Sequence, residues 1–188
     1  KPLATSLKDA DRMIKACEDN GVVLAVDHTR RWSPVFHNVR DAIRTGAIGS
    51  LNTIVTNSGG PRAMLFRNGT HSIDGICFFA ESDPIKVFAR LEDGFDDWDE
   101  YKGDGGRIPE KDPGASGFIL FRNGVRAFYN GSKDQIDRYS HQLAGPTGQI
   151  SFGHNDRTAT LVTRGDKSGE FLRHELIPDQ LQVHGMLA

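Results

Sequence analysis

Apolar and polar positions follow two periods along this chain, and the change between them falls near Pro84. In "TSLKDADRMIKACEDNG", Leu7, Ala10, Met13, Ile14 and Cys17 recur at helical spacing. Ser6 stands at the N-cap with Asp9 three residues later, and Gly21 is a stop, so the stretch predicts a helix. "VVLAV" follows at once, a continuous apolar run of the kind a parallel strand buried on both faces shows. A helix running into such a strand is the second half of a βαβ unit, whose first strand would precede Lys1. The expectation is a chain that opens inside an α/β domain.

"SPVFHNVRDAIRTG" predicts a second helix, with Ser33 as N-cap, Pro34 in the first turn, Phe36, Val39 and Ile43 on one face, and Gly46 as stop. "SLNTIVTNSGG" reads as a strand, and in "RNGTHSIDGICFFAES" Asn68 is expected to cap a helix running to about residue 81. From Pro84 the apolar positions alternate instead. "IKVFARL", "ASGFILF", "VRAFYNG", "RYSHQLAG", "GQISFG", "TATLVTR" and "EFLRHEL" are separated by turns such as "RNG", "GPTG" and "GDKSG", and predict an antiparallel sheet of hairpins. The Asp- and Gly-rich insert from Glu92 to Pro113 is longer than an ordinary connection. The fold class is therefore α/β (α+β): an open, mostly antiparallel sheet with helices on one face, preceded by a helix and strand of another sheet.

Composition narrows the function. With 23 Lys plus Arg against 25 Asp plus Glu the net charge is −2, with no basic block to hold a nucleic acid. The apolar runs are far shorter than the roughly 18 residues that span a bilayer, so no membrane partner is expected. No targeting segment is visible and the expected compartment is the cytoplasm, although the chain opens on Lys1 rather than Met. Cys17 and Cys77 lie on the apolar sides of helical patterns, and are expected to be buried and reduced. "NGT" at 68 and "NGS" at 130 are read as turns rather than glycosylation acceptors.

The candidate chemistry centres on His71 and Asp74. On the third helix Ile73, Ile76, Cys77 and Ala80 share one face, while His71, Asp74 and Phe78 share another, so His71 is expected to point away from the core. A satisfied core histidine and an acid/base group both remain open at this point. A helix start disfavours the imidazolium and a carboxylate one turn on favours it, which would set a pKa near neutrality, as a general base requires. No metal site is expected: His28, His37, His141, His154, His174 and His184 show no HExxH or paired-His spacing. The acidic insert has Lys102 and Ile108 where a calcium loop counted from Asp97 requires Gly and Glu. "HTRRW" at 28–32 follows a strand end, where open α/β sheets present binding groups, so Arg30 and Arg31 are candidate contacts for an anionic or polyhydroxyl ligand.

In sequence and order, "KPLATS" at 1–6, "HTRRWSP" at 28–34, "GAIGSL" at 46–51 and "GTHSIDGICFFAESDP" at 69–84 resemble the Gfo/Idh/MocA family of NAD(P)-dependent sugar oxidoreductases. The likeness is close to about residue 91 and architectural beyond it. It implies that residues 1–32 are the remnant of a dinucleotide-binding Rossmann domain and 33–188 a substrate-binding and oligomerisation domain. The implied cofactor is NAD or NADP in the intact protein, since the GxGxxG loop is absent from these residues. By the same resemblance Lys1 and His71 are catalytic, Lys1 and Pro2 border the cofactor, and Arg30, Asn68 and Asp74 line the site of a sugar or cyclitol, with Asp74 supporting the histidine. A homo-oligomer through the sheet face is expected. Many members carry an aspartate four residues before that histidine, whereas Arg67 stands there. Two other activities are weighed beside the dehydrogenase: an NAD-dependent glycosidase of the same fold, and a non-catalytic sugar-sensing or assembly module.

Overall fold

Ser6 accepts a hydrogen bond from the backbone N–H of Asp9 and so opens helix α1 (Leu7–Asp19), which Asn20 and a left-handed Gly21 close. These details belong to a computed structural model that describes residues 1–61, 65–98, 101–103, 107–135, 139–153 and 157–177. His154, His184 and residues 99–100 and 104–106 of the insert lie outside that set. The helix forms as its pattern predicts, but its apolar stripe buries nothing, and Leu7 is 85% exposed. The strand expected at 22–26 is corrected outright: these residues join no ladder among the described residues, and Val23 is 94% exposed. A strand exists only through hydrogen-bonded neighbours, and apolar propensity alone does not make one.

A short 3-10 turn (Thr29–Trp32) leads to α2 (Pro34–Arg44). Proline at its first position has φ preset for a helix and lacks only an N–H that would be unbonded anyway. Ser33 holds the N-cap position without a side-chain capping bond. The N-cap expected at Asn68 is a further correction. Residues Leu65–Gly69 form a π-helical turn that runs into α3 (Thr70–Ala80), and Gly69 already has helical dihedrals, so no break exists for a side chain to cap. At its far end Glu81 takes the left-handed conformation of a C-terminal cap.

The predicted strands form one eight-stranded sheet: β1 (Thr53–Gly59), β2 (Pro84–Leu91), β3 (Ala115–Phe121), β4 (Arg126–Ser132), β5 (Ser140–Ala144), β6 (Gly148–Gly153), β7 (Ala159–Arg164) and β8 (Phe171–Leu176). Their spatial order is β2-β3-β4-β1-β5-β6-β7-β8. All neighbours run antiparallel except β1 and β4, which are parallel. The first strand in sequence is thus central in space.

Two cross-strand rows on the inner face position everything else. Ala127, Ile54, Leu143 and Ile150 lie side by side in register, all fully buried, and form one core with Phe36 and Val39 of α2 and Ile76 and Phe79 of α3. The row above reads Tyr129, Thr56, His141, Phe152, so buried polarity enters toward the C-terminal end of β1. His141 is stacked on Phe152, edge-on to Phe36, and shares a 3.0 Å hydrogen bond between its Nδ1 and the Thr56 hydroxyl. Gly75 lets α3 come down on this ring: a Cβ there would sit 3.3 Å from His141 Cε1 and 3.4 Å from Phe36 Cε1.

The opposite face is open. Phe88, Phe118 and Phe128 stand in register across β2, β3 and β4, their rings in contact, with Phe88 65% exposed. No described helix is long and apolar enough to cross a membrane. Cys17 and Cys77 carry free thiols, as expected, but both are half-buried rather than buried.

Candidate active site

The start of α3, the 3-10 turn after residue 28 and the edge of β5 converge on one cluster of nitrogen bases and cations. His71, in the first turn of α3, is 7% exposed, so the expectation that it points away from the core is corrected. Both sides of α3 are covered, since Phe78 and His71 on the presumed outer face are buried along with Ile76 and Ala80. The ring is nevertheless not sealed among aliphatic groups. His28 meets it edge-on with centroids 5.7 Å apart, and its own Nδ1 is shielded from solvent without a hydrogen-bond partner.

Electrostatics correct the expected pKa as well. Burial, then the positive charges of Arg30 and Lys1 and the neighbouring His28, push the His71 imidazole down to about 4; Asp74 opposes them but does not win. His71 is therefore a neutral imidazole at pH 7. His28 is also lowered, chiefly by burial, with Asp74 opposing. His141, deeper in the sheet, falls to about 3 through burial and the charge of Arg30.

Asp74 does not hydrogen-bond His71. Its carboxylate is gripped by Arg31, whose Nε donates at 2.9 and 3.0 Å and whose Nη2 donates at 2.8 Å, while His28 Nδ1 lies 3.9 Å away. The residue assigned to support the histidine thus acts on it through charge alone. Arg30 lies with its guanidinium carbon 4.8 Å from the centre of the Tyr139 ring, and burial lowers its pKa to about 10. Asn68 sits half-buried in the π-helical turn just before α3, next to Arg67. Lys1 is exposed, but its charge is felt at both His28 and His71, which places the first residue on the same side of the molecule as the imidazole.

The insert reaches this side too. Phe66 of the π-helical turn packs on Trp98 and Tyr101, Tyr101 N–H approaches the Thr5 carbonyl at 3.5 Å, and together with Pro2–Leu7 these residues border a cleft of about 340 Å³. At its base the insert is pinned by Lys133, whose ammonium pairs with Glu92 at 2.7 Å and donates to the carbonyls of Pro109 and Asp112 at 3.1 Å. Among the described residues no group of three His, Cys, Asp or Glu side chains is placed to hold a metal ion.

The residues missed in the sequence are His28, Tyr139 and His141. The last two had a usable signal: the alternation of β5, carried back one residue before its start, puts Tyr139, His141 and Leu143 on one face. For His28 only its place at the head of "HTRRW" hinted at a role.

This sheet, with a polar cluster at the head of α3 and two helices on one face, gives the chain the fold of the C-terminal part of Gfo/Idh/MocA-type oxidoreductases. The particular likenesses follow. The chain is 26% identical to the myo-inositol 2-dehydrogenase of Thermotoga maritima, over 92% of this chain and 54% of that protein. It is 48% identical over 50 residues to the D-apiose dehydrogenase of Paraburkholderia graminis, 27% of this chain and 13% of that one. A levoglucosan dehydrogenase solved in complex with NADH and levoglucosan superposes over 100% of this chain and 56% of its own, with a TM-score of 0.76 at 18% identity. The chain spans about half the length of the myo-inositol dehydrogenase it matches. No protein-family profile matches it.

Proposed function

We propose that this chain is the substrate side of an oxidoreductase that moves a hydride between a nicotinamide cofactor and a hydroxyl-bearing carbon of a sugar or cyclitol. The observation that carries the proposal is His71: a shielded imidazole with an unpartnered Nδ1, held neutral, in a cluster that feels the charge of Lys1. A neutral imidazole can take the proton of a hydroxyl as that hydroxyl becomes a carbonyl, and return it in the reverse direction. The Lys1 ammonium stabilises negative charge developing on the same oxygen. Arg30 and Asn68 orient the remaining hydroxyls, and Asp74, fixed by Arg31, offsets one of the cluster's positive charges.

The polar atoms left unpartnered at His71 and Arg30 fit a hydroxylated substrate and the amide end of a nicotinamide, with Lys1 and Pro2 bordering the latter. When bound, the nicotinamide supplies the hydride-carrying carbon. In this reading residues 1–32 belong to the dinucleotide-binding domain and 33–188 to the substrate domain, which accounts for the bare apolar stripe of α1 and the unpaired run at 22–26. The exposed phenylalanine row supports self-association through the open sheet face.

His71→Ala in the full-length protein is expected to lower kcat with myo-inositol or a pentose by about 100-fold or more while leaving NAD(H) affinity nearly intact. Unchanged turnover would remove the acid/base role. Bound cofactor that never exchanges during sugar cleavage would indicate the glycosidase, and ligand binding without consumption a sensor.

A further inference from the structure

Arg30 carries the charge that this cluster leaves unanswered. Its guanidinium is stacked over Tyr139, and its Nη1 is shielded from solvent with no hydrogen-bond partner. The cluster's carboxylate, Asp74, is already bound three times over by the neighbouring Arg31. Among the described residues Arg30 has neither an ion pair nor a side-chain hydrogen bond.

An aromatic ring covers only the flat face of a guanidinium; the N–H groups point outward in its plane and still require acceptors. The other described groups that act on His71 supply no counter-charge, since His28 is a nitrogen base, Lys1 a second cation, and Asp74 is held by Arg31. Arg30 is half-buried, and withdrawing even part of a guanidinium from water without an anion beside it carries a cost that an arriving anion recovers. Hydroxyls alone would satisfy the N–H groups but leave the charge uncancelled. The reach of that charge is visible in its neighbours, for Arg30 depresses both His71, at the head of α3, and His141, within the sheet.

We propose that Arg30, backed by Tyr139, receives an anionic substituent of the substrate, so that this site selects sugars bearing a carboxylate or phosphate over their neutral parents. The inference rests on the site assigned above as the sugar site and specifies the substrate class it takes. The anion would meet the free guanidinium edge, while the hydroxyl to be oxidised meets His71. Arg31 is no substitute, because its charge is already answered by Asp74, to which its Nε and Nη2 donate.

The test uses the full-length protein and a panel of hexuronates, aldonates and hexose 6-phosphates, each paired with its neutral parent. Turnover is followed with NAD and NADP, and binding is measured separately by calorimetry. At least one anionic sugar is expected to exceed its neutral parent by about 10-fold or more in kcat/KM and affinity. The carboxylate and phosphate arms identify which anion is taken. Arg30→Gln should bring the anionic-to-neutral ratio close to 1, and Arg30→Lys, which keeps the charge but not the planar fork, should retain part of it. Tyr139→Leu should reduce the same ratio while the variant melts as a folded protein.

The inference is overturned if no panel member is preferred to its neutral parent, or if Arg30→Gln leaves the ratio unchanged. It is equally overturned if Arg30→Gln weakens only NAD(P)H binding, which would place the guanidinium against the dinucleotide. An anionic sugar that binds through Arg30 but is never oxidised would leave this assignment standing and defeat the oxidoreductase reading instead.

Discussion

Two histidines in different surroundings carry the same electrostatic signature. His71 and His141 are both pushed far below the ordinary value of 6.5, to about 4 and about 3, mainly by burial. The consequence for stability has a definite sign. The unfolded chain binds protons at these residues from pH 6.5 downward while the folded chain does not, so their contribution is complete above 6.5 and is lost as pH falls toward 4. Each histidine adds a slope of about 1.4 kcal/mol per pH unit inside that window. Denaturant unfolding at a series of pH values should therefore show steep acid destabilisation, and His141→Gln should make it shallower. An unchanged slope would mean that His141 is protonated in the fold. What separates the two residues is the partner. His141 has Thr56 and a cage of aromatic rings, whereas His71 Nδ1 has none. Residue types in sequence pointed to His71 and Arg30, and the family resemblance to Lys1, but neither pointed to the depressed pKa, because desolvation and the charge of Arg30 arise only once distant segments meet.

At the scale of elements, α3 depends on Gly75 for its closeness to the sheet. A methyl group there meets His141 at 3.3 Å and Phe36 at 3.4 Å, both fully buried, so the rings or the helix must shift by a few tenths of an ångström. Gly75→Ala is expected to cost about 1–3 kcal/mol of unfolding free energy and, by lifting the helix, to displace His71 and lower turnover in the full-length protein. Retention of both stability and activity would show that the interface has slack. Strands β2 to β8 were legible because alternation and turn residues agree along each of them. The failures have a physical pattern. The "VVLAV" run reads as a strand from its residues alone, yet a strand is a relation between segments and its partners are not among the described ones. The face of α3 misled for a similar reason: periodicity assumes one wet side, whereas this helix is covered on both. Asn68 looked like a cap because Asn-Gly is a common break, but the backbone instead winds through a π-helical turn.

For the molecule as a whole, the open sheet face is a feature the site does not use. Phe88, Phe118 and Phe128 form an aromatic row across three strands with solvent on one side. If that face mediates self-association, Phe128→Asp should lower the mass measured by light scattering and leave circular dichroism unchanged. An unchanged mass would assign the row another purpose. The class of fold was legible from the two hydrophobic periods, but the order of strands was not. Nothing in "TIVTNSG" shows that it lies in the middle of the sheet or that it runs parallel to β4, since pairing across long separations leaves no local trace.

That central position has a consequence during synthesis. Both edges of β1 must wait for residues 126–144 to leave the ribosome, so a nascent chain carries two unfilled backbone edges and a bare Ile54 beside helices already able to form. Such an intermediate is a natural client for a chaperone.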